Sequence, residues 1–202
     1  MDVPAADGEI EMATGLVNLD ALIQRDDFLV AGGGAMEGSK TKTLKINDLE
    51  SGSFFFNSLR KPDFQRETAN WTPAKIQDFV RTFLEGDLIP AVICWSAGGS
   101  NVFIIDGAHR LSALIAWVSD DYGDGVLSRD FFHNAIPPEQ VKAAERTRKQ
   151  INSSIGTYLE HKNSTKHPET RQEVKDRAIR LGSFSIDVQW VPSADAKRAE
   201  AA

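Results

Sequence analysis

The chain has a single cysteine, Cys94, in 202 residues. One thiol excludes an internal disulfide framework and any zinc site built on several cysteines. Long apolar runs are missing as well: none approaches the roughly 18 residues that a membrane-spanning helix needs, so no membrane partner is expected. The first dozen residues, MDVPAADGEIEM, lack the basic start and apolar core of a secretory signal. A cytoplasmic location is the resulting expectation. No Gly-rich phosphate loop ending in Lys-Ser/Thr occurs in the chain, and there is no internal repeat.

An excess of positive charge is also lacking. The 29 acidic residues outnumber the 23 basic ones, for a formal charge of −6. That balance is uneven: residues 1–39 hold eight acids and one base (Arg25), a net −7, whereas the remainder is +1 and residues 129–181 are +4. Binding of nucleic acid through bulk charge alone is therefore not expected, although a local basic face remains open. Hydrophobic residues at 41% and charged residues at 26% are ordinary for a soluble globular domain. The length suits one domain with appendages.

Periodicity and punctuation predict the elements. Residues 18–30 read as a short amphipathic helix with Asn18 as cap and Leu19, Leu22 and Ile23 at helical spacing. Four glycines between Gly32 and Gly38 read as a linker. A strand is expected around Leu44 and Ile46. The clearest helix covers 72–85: Thr72 caps it, Pro73 takes the first helical position, and Gly86 ends it. Its apolar stripe, Ile76, Phe79, Val80, Phe83 and Leu84, is core. IPAVICW and NVFIID, joined by SAGGS, form a hairpin signal. A helix from about His109 to Val118 follows, closed by DDYGDG. One long helix is expected over 137–161 and another over 168–181, then a strand with Phe184, Ile186, Val188 and Trp190 on one face. Ser193 caps a last helical stretch that stops before it can bury a face. The expected class is α+β: an acidic N-terminal segment (1–39), a core (40–128), a helical extension ending in a strand (129–192), and the start of a truncated or partner-docking helix (193–202).

The segment with chemical content is Val102–Leu111, where an apolar strand runs into Asp106-Gly107-Ala108-His109-Arg110 at a helix start. The first amides of a helix are unpaired and carry partial positive charge, Gly107 permits close backbone approach, and Arg110 is a multidentate donor. Together they make an anion or phosphate site. An arginine in the first turn opposes the helix dipole, so its cation should face a ligand or a carboxylate. On spacing alone a second reading stands beside the first: Asp106 caps the helix and Arg110 forms a salt bridge within the fold. Cys94, in an apolar strand, reads as an inert core residue.

This segment, with Arg60-Lys61-Pro62-Asp63-Phe64-Gln65-Arg66 and Trp71 upstream, resembles the Asp-Gly-x-x-Arg proteins of the ParB/sulfiredoxin-like superfamily, and in motif order the N-terminal domain of GmrSD-type restriction endonucleases found in phage-defence systems. The likeness covers roughly residues 40–118, and more loosely the chain to Val191. It implies a ParB/sulfiredoxin-like mixed sheet with packed helices. It also implies a domain that binds a nucleoside triphosphate and, in several relatives, hydrolyses it with Mg2+. Carried over by position, Asp106, Gly107, Ala108, His109 and Arg110 form the phosphate loop and Gln65 and Arg66 face it; Asp106, His109 and Arg110 are the catalytic candidates.

Where sulfiredoxins carry a catalytic cysteine in the loop, this chain has Ala108, which argues against sulfinic-acid reduction. No nuclease site is visible: His133, His161 and His167 have no matching acid cluster, and His161 and His167 read as solvent-exposed rather than metal-ligating. Any nuclease acting on DNA would lie in a missing C-terminal part or a separate subunit, and an oligomer is compatible with this reading. The alternative is a non-catalytic, ParB-like module that nucleotide switches between DNA- or protein-binding states. Its DNA face would be Lys142, Arg146, Arg148 and Lys149, which Glu139 and Glu145 counterbalance on an otherwise solvated helix.

Overall fold

A computed structural model describes residues 15–28, 40–96 and 101–192. Six strands form one mixed sheet: β1 (Arg25–Asp26), β2 (Thr43–Lys45), β3 (Leu59–Pro62), β4 (Val92–Ser96), β5 (Val102–Asp106) and β6 (Ser185–Trp190). Their spatial order is β1-β3-β5-β4-β6-β2. β3 is parallel to both β1 and β5, β4 and β5 form the antiparallel hairpin, and β6 runs parallel to β4 and antiparallel to β2. The helices are α1 (Phe54–Ser58), α2 (Pro73–Glu85), α3 (Ala108–Ser119), α4 (Val126–Phe131), α5 (Pro138–Ser154), α6 (Tyr158–Asn163) and α7 (Gln172–Leu181). The class is α+β, as the sequence predicts.

Local signals are obeyed where they are strong. Thr72 accepts the Lys75 amide, Pro73 opens α2, and Gly86 closes it in the left-handed conformation. The expected stripe packs inward: Ile76, Val80, Phe83 and Leu84 are buried and Phe79 is partly buried. Burying each such side chain contributes ~1.5–3 kcal/mol, so this face fixes α2 on the sheet. β5 alternates in the same way, with Ile104 in the main core and Phe103 in a smaller cluster with Phe28 and Trp95. Cys94 is fully buried, and desolvation pushes its thiol up to about 12, so it is inert.

Three expectations are corrected. The helix over 18–30 is only a 3-10 turn at Asp20–Leu22 followed by β1. Asn18 does accept the Asp20 amide, yet Leu19, Leu22 and Ile23 are buried and the chain then straightens to pair with β3. Tertiary pairing overrides a weak helical stripe. The long helix over 137–161 is two helices. Gly156 sits at φ +96 between them, and Thr157 starts α6 with a capping box to Glu160. His161 is not exposed: it is buried, stacked edge-on against Trp117, with Nδ1 donating to the Thr157 carbonyl at 2.8 Å. The glycine-rich linker, the SAGGS turn apart from Ser96, and the helix after Ser193 lie outside the described residues.

The main core takes residues from both ends of the chain, from Val17 through Ala144, Ile151 and Ile155 to Val188. Arg177, buried on α7, bridges Glu173 and Glu85 and ties α7 to α2.

Candidate functional site

β5 delivers Asp106 to the head of α3. Next to it the hairpin register shifts: Ile93 pairs with Asp106 but Cys94 with Ile104, leaving Ile105 as an extra residue. Such bulges re-aim the chain at the end of a strand. The freed geometry is used at once, since the Ile105 carbonyl accepts from Gln65 Nε2 at 3.1 Å. Gly107 follows at φ +100, where a Cβ would meet Val92 Cγ2 at 3.0 Å and Arg110 Nη2 at 3.2 Å. Only glycine passes here without strain. No side chain caps α3, so the amides of its first turn keep their donor capacity.

Asp106 is therefore not the helix cap. Its Oδ2 accepts from Arg110 Nη2 at 2.5 Å, and Arg110 Nη1 donates to the Pro90 carbonyl. The Arg110 side chain is 14% exposed and that of Asp106 is 58% exposed. Arg110 thus holds the carboxylate in place and ties α3 to the chain before β4, while Asp106 presents its other oxygen to solvent. The salt bridge and the open helix head, alternatives on sequence spacing, coexist.

His109 packs parallel to Trp71, ring centroids 5.8 Å apart, and Lys75 lies 4.8 Å over the same indole. Its Nε2 is buried with no hydrogen-bond partner among the described residues. Burial, then the charges of Lys75 and Lys61, pull its pKa below the ordinary value, with Asp20 and Asp106 opposing. At neutral pH His109 is an uncharged ring, not a second cation.

The structure brings Gln65 to the loop through Ile105 and leaves its Oε1 buried and unpaired. Arg66, the next residue, is exposed and makes no hydrogen bond or ion pair with the described residues. It supplies the uncommitted positive charge on this segment. On α5, Lys142, Arg146 and Lys149 are exposed. Arg148 is instead bound to Asp120 and Asp124, which raise its pKa against the effect of burial, and lies over Tyr122. That arginine anchors α5 to the turn after α3. Among the described residues no cluster of three or more His, Cys, Asp or Glu could hold a metal, and no helix is long and apolar enough to cross a membrane.

Sequence reasoning missed a cluster formed by Asp20 and Arg25 with Lys61 and Thr68. Asp20 is buried and accepts from Lys61 Nζ (2.5 Å), the Thr68 amide (3.0 Å) and Arg25 Nη2 (3.1 Å). Lys61 is fully buried and also donates to the Asp20 carbonyl. Burial opposes the charge on Asp20, but the hydrogen bonds from Lys61 and Thr68 outweigh it and hold its carboxyl below the usual range. Arg25 Nη1 reaches the Pro62, Asp63 and Gln65 carbonyls. No local signal in the sequence marks these charged residues as buried.

Cavities of 410 and 320 Å3 lie on either side of Tyr158. The larger takes in Trp117 and Ser119, at the C-terminal end of α3. A helix C-terminus carries partial negative charge, which disfavours a phosphate there.

The site therefore belongs to an α+β domain with a glycine-led, uncapped helix head beside a Phe-Gln-Arg loop. The chain belongs to the family of the GmrSD restriction endonuclease N-terminal domain, whose family model matches residues 45–191. No curated protein and no solved structure matches it. Membership places the chain in a restriction and phage-defence setting.

Proposed function

We propose that this domain binds a nucleoside triphosphate at the head of α3. The observation that carries this reading is the uncapped helix N-terminus behind Gly107, with an exposed carboxylate fixed beside it by Arg110. The first-turn amides would take phosphate oxygens, and Arg66 would add the charge that Arg110 has committed to Asp106. Gln65, with a buried unpaired Oε1, would orient a ligand donor. The donor set suits Mg2+ as well: Asp106 keeps one carboxylate oxygen free, a hard ligand of the kind that holds magnesium directly or through water. When bound, magnesium supplies charge neutralisation at the phosphate oxygens. The chain's own part is to position phosphates by backbone donors, to hold Asp106 rigid, and to keep His109 neutral against Trp71.

Two outcomes for the bound nucleotide separate here. Hydrolysis would use Asp106 to orient the attacking water. A switch without turnover, in which nucleotide controls contact with DNA or protein, is favoured by the buried Nε2 of His109, which is not offered to a ligand at the surface for proton transfer.

A thermal-shift panel of ATP, GTP, CTP and UTP, with and without magnesium, tests the proposal on the wild-type chain and on Arg110→Ala. A ligand that binds only the folded state raises its unfolding temperature. A shift for at least one triphosphate, lost in Arg110→Ala, is expected; no shift with any of them, or an undiminished shift in the variant, overturns the reading. Phosphate release from the same samples distinguishes hydrolysis from switching.

A further inference from the structure

The loop between β3 and Trp71 carries Gln65 and Arg66, and both of its ends are gripped by a segment 37 to 49 residues upstream. At the start, the Arg25 guanidinium gathers three successive-turn carbonyls, those of Pro62 (3.4 Å), Asp63 (3.5 Å) and Gln65 (2.5 Å). At the far end, Asp20 Oδ1 accepts the Thr68 amide and hydroxyl, and the Leu19 amide donates to the Thr68 carbonyl. Asp20 also binds Arg25 through Nε and Nη2, so the two grips are one unit, seated on the fully buried Lys61. β1 sets the reach: Arg25 pairs with Lys61 in parallel register, which places its side chain beside the residues that follow β3. Beyond these grips, among the described residues, the loop has one internal backbone bond, Gln65 N–H to the Pro62 carbonyl, the side-chain bond of Gln65 to Ile105, a bond from Lys61 Nζ to the Thr68 hydroxyl, and the edge-on packing of Phe64 against Phe28.

We propose that Arg25 is a positioning residue of the α3-head site, acting through the 62–68 loop, and that Asp20 holds it in that role. Residues 19–25 are then part of the site, although the family match begins only at residue 45. Arginine suits the task because a planar fork with five donors can hold several carbonyls and a carboxylate together. Lysine, a single ammonium, can keep the pairing to Asp20 but cannot span the loop. The functional half of this proposal rests on the nucleotide reading above; the clasp itself does not.

The test uses the full chain and two readouts. Hydrogen exchange follows the two hydrogen-bonded loop amides, Gln65 and Thr68, with those of β4 as internal reference. In parallel, affinity is measured for the triphosphate that gives the largest thermal shift. Arg25→Ala should speed loop exchange at least tenfold over the β4 reference and weaken nucleotide binding about tenfold. Arg25→Lys, which keeps the charge near Asp20, should show the same loosening of the loop with a smaller loss of thermal stability, and serves if the alanine variant does not fold. Because the effect passes through the residues that the loop presents, the affinity loss in Arg25→Ala/Arg66→Ala should be well below the product of the two single losses. Unchanged loop exchange overturns the clasp. Loosened exchange with wild-type affinity, or a fully multiplicative double variant, overturns the positioning role. If the wild-type chain binds no triphosphate, the proposed function and the functional half fail together, and exchange alone decides whether the clasp holds the loop.

Discussion

Two acid–base clusters flank the candidate site and are built for different work. The pair Asp20–Lys61 is buried, 6% and 0% exposed, and every donor on it is spent inside the fold. The pair Asp106–Arg110 is half open, and its carboxylate faces solvent. Removing one partner from a buried pair leaves an uncompensated charge, whereas an exposed pair adds little to stability because water screens it. The first cluster thus carries the fold of the loop, and the second shapes a surface on which a ligand can act.

The largest expected effect breaks the buried side of this comparison. Lys61→Ala should destabilise the chain by ~3–5 kcal/mol in urea unfolding, because Asp20 stays buried without its main partner. A loss below about 1 kcal/mol would mean that water reaches Asp20 freely. Next is Gly107→Ala, expected to cost ~1–3 kcal/mol through its positive φ, with Val92 in the way of the new methyl. On the open side, Arg110→Ala should cost at most about 1 kcal/mol of stability, the discounted value of a pair with an exposed carboxylate, while removing the nucleotide-induced shift.

A smaller effect concerns pH. His109 and His161 both have pKa values below the ordinary one, His161 chiefly through burial, with the Thr157 carbonyl opposing. In the unfolded chain they titrate near 6.5. Between the two values the unfolded chain binds more protons, so the stability they contribute is present above about pH 6.5 and is lost as pH falls through the folded value. Urea midpoints should drop from pH 7.5 to 5.5, and His161→Gln should flatten that slope. The smallest effect belongs to the α5 face: Lys142→Ala/Arg146→Ala/Lys149→Ala should leave stability within about 0.5 kcal/mol, the usual range for surface changes. If this face meets DNA, the same variant weakens a salt-sensitive binding.

The contrast also explains what was legible in the sequence. Asp106 to Arg110 and Thr72 to Gly86 carry local signals, a glycine at a strand–helix junction and a cap with proline and glycine at the helix ends, and their chain neighbours enforce them. Thr157 and Glu160 carried such a signal too, a capping box that ends the illusion of one helix over 137–161. The clasp had none. Asp20, Arg25 and Lys61 are charged residues whose burial depends on β1 pairing with β3, a contact some forty residues apart. Without that pairing, Leu19, Leu22 and Ile23 suit a helix as well as the turn they adopt. Likewise, nothing around His161 in the sequence distinguishes an exposed imidazole from one wedged against Trp117.

Arg66 gives the most direct measurement of the central claim, because it is exposed, has no partner among the described residues, and can be changed without breaking a contact seen there. The affinity of the full chain for its best triphosphate, measured by calorimetry with magnesium, is compared between wild type and Arg66→Ala at matched unfolding temperatures. A loss of about tenfold or more, the ~1.5–3 kcal/mol of a charge-assisted hydrogen bond, is predicted. Equal affinity in the two proteins would contradict a phosphate site at the head of α3 fronted by the Gln65–Arg66 loop.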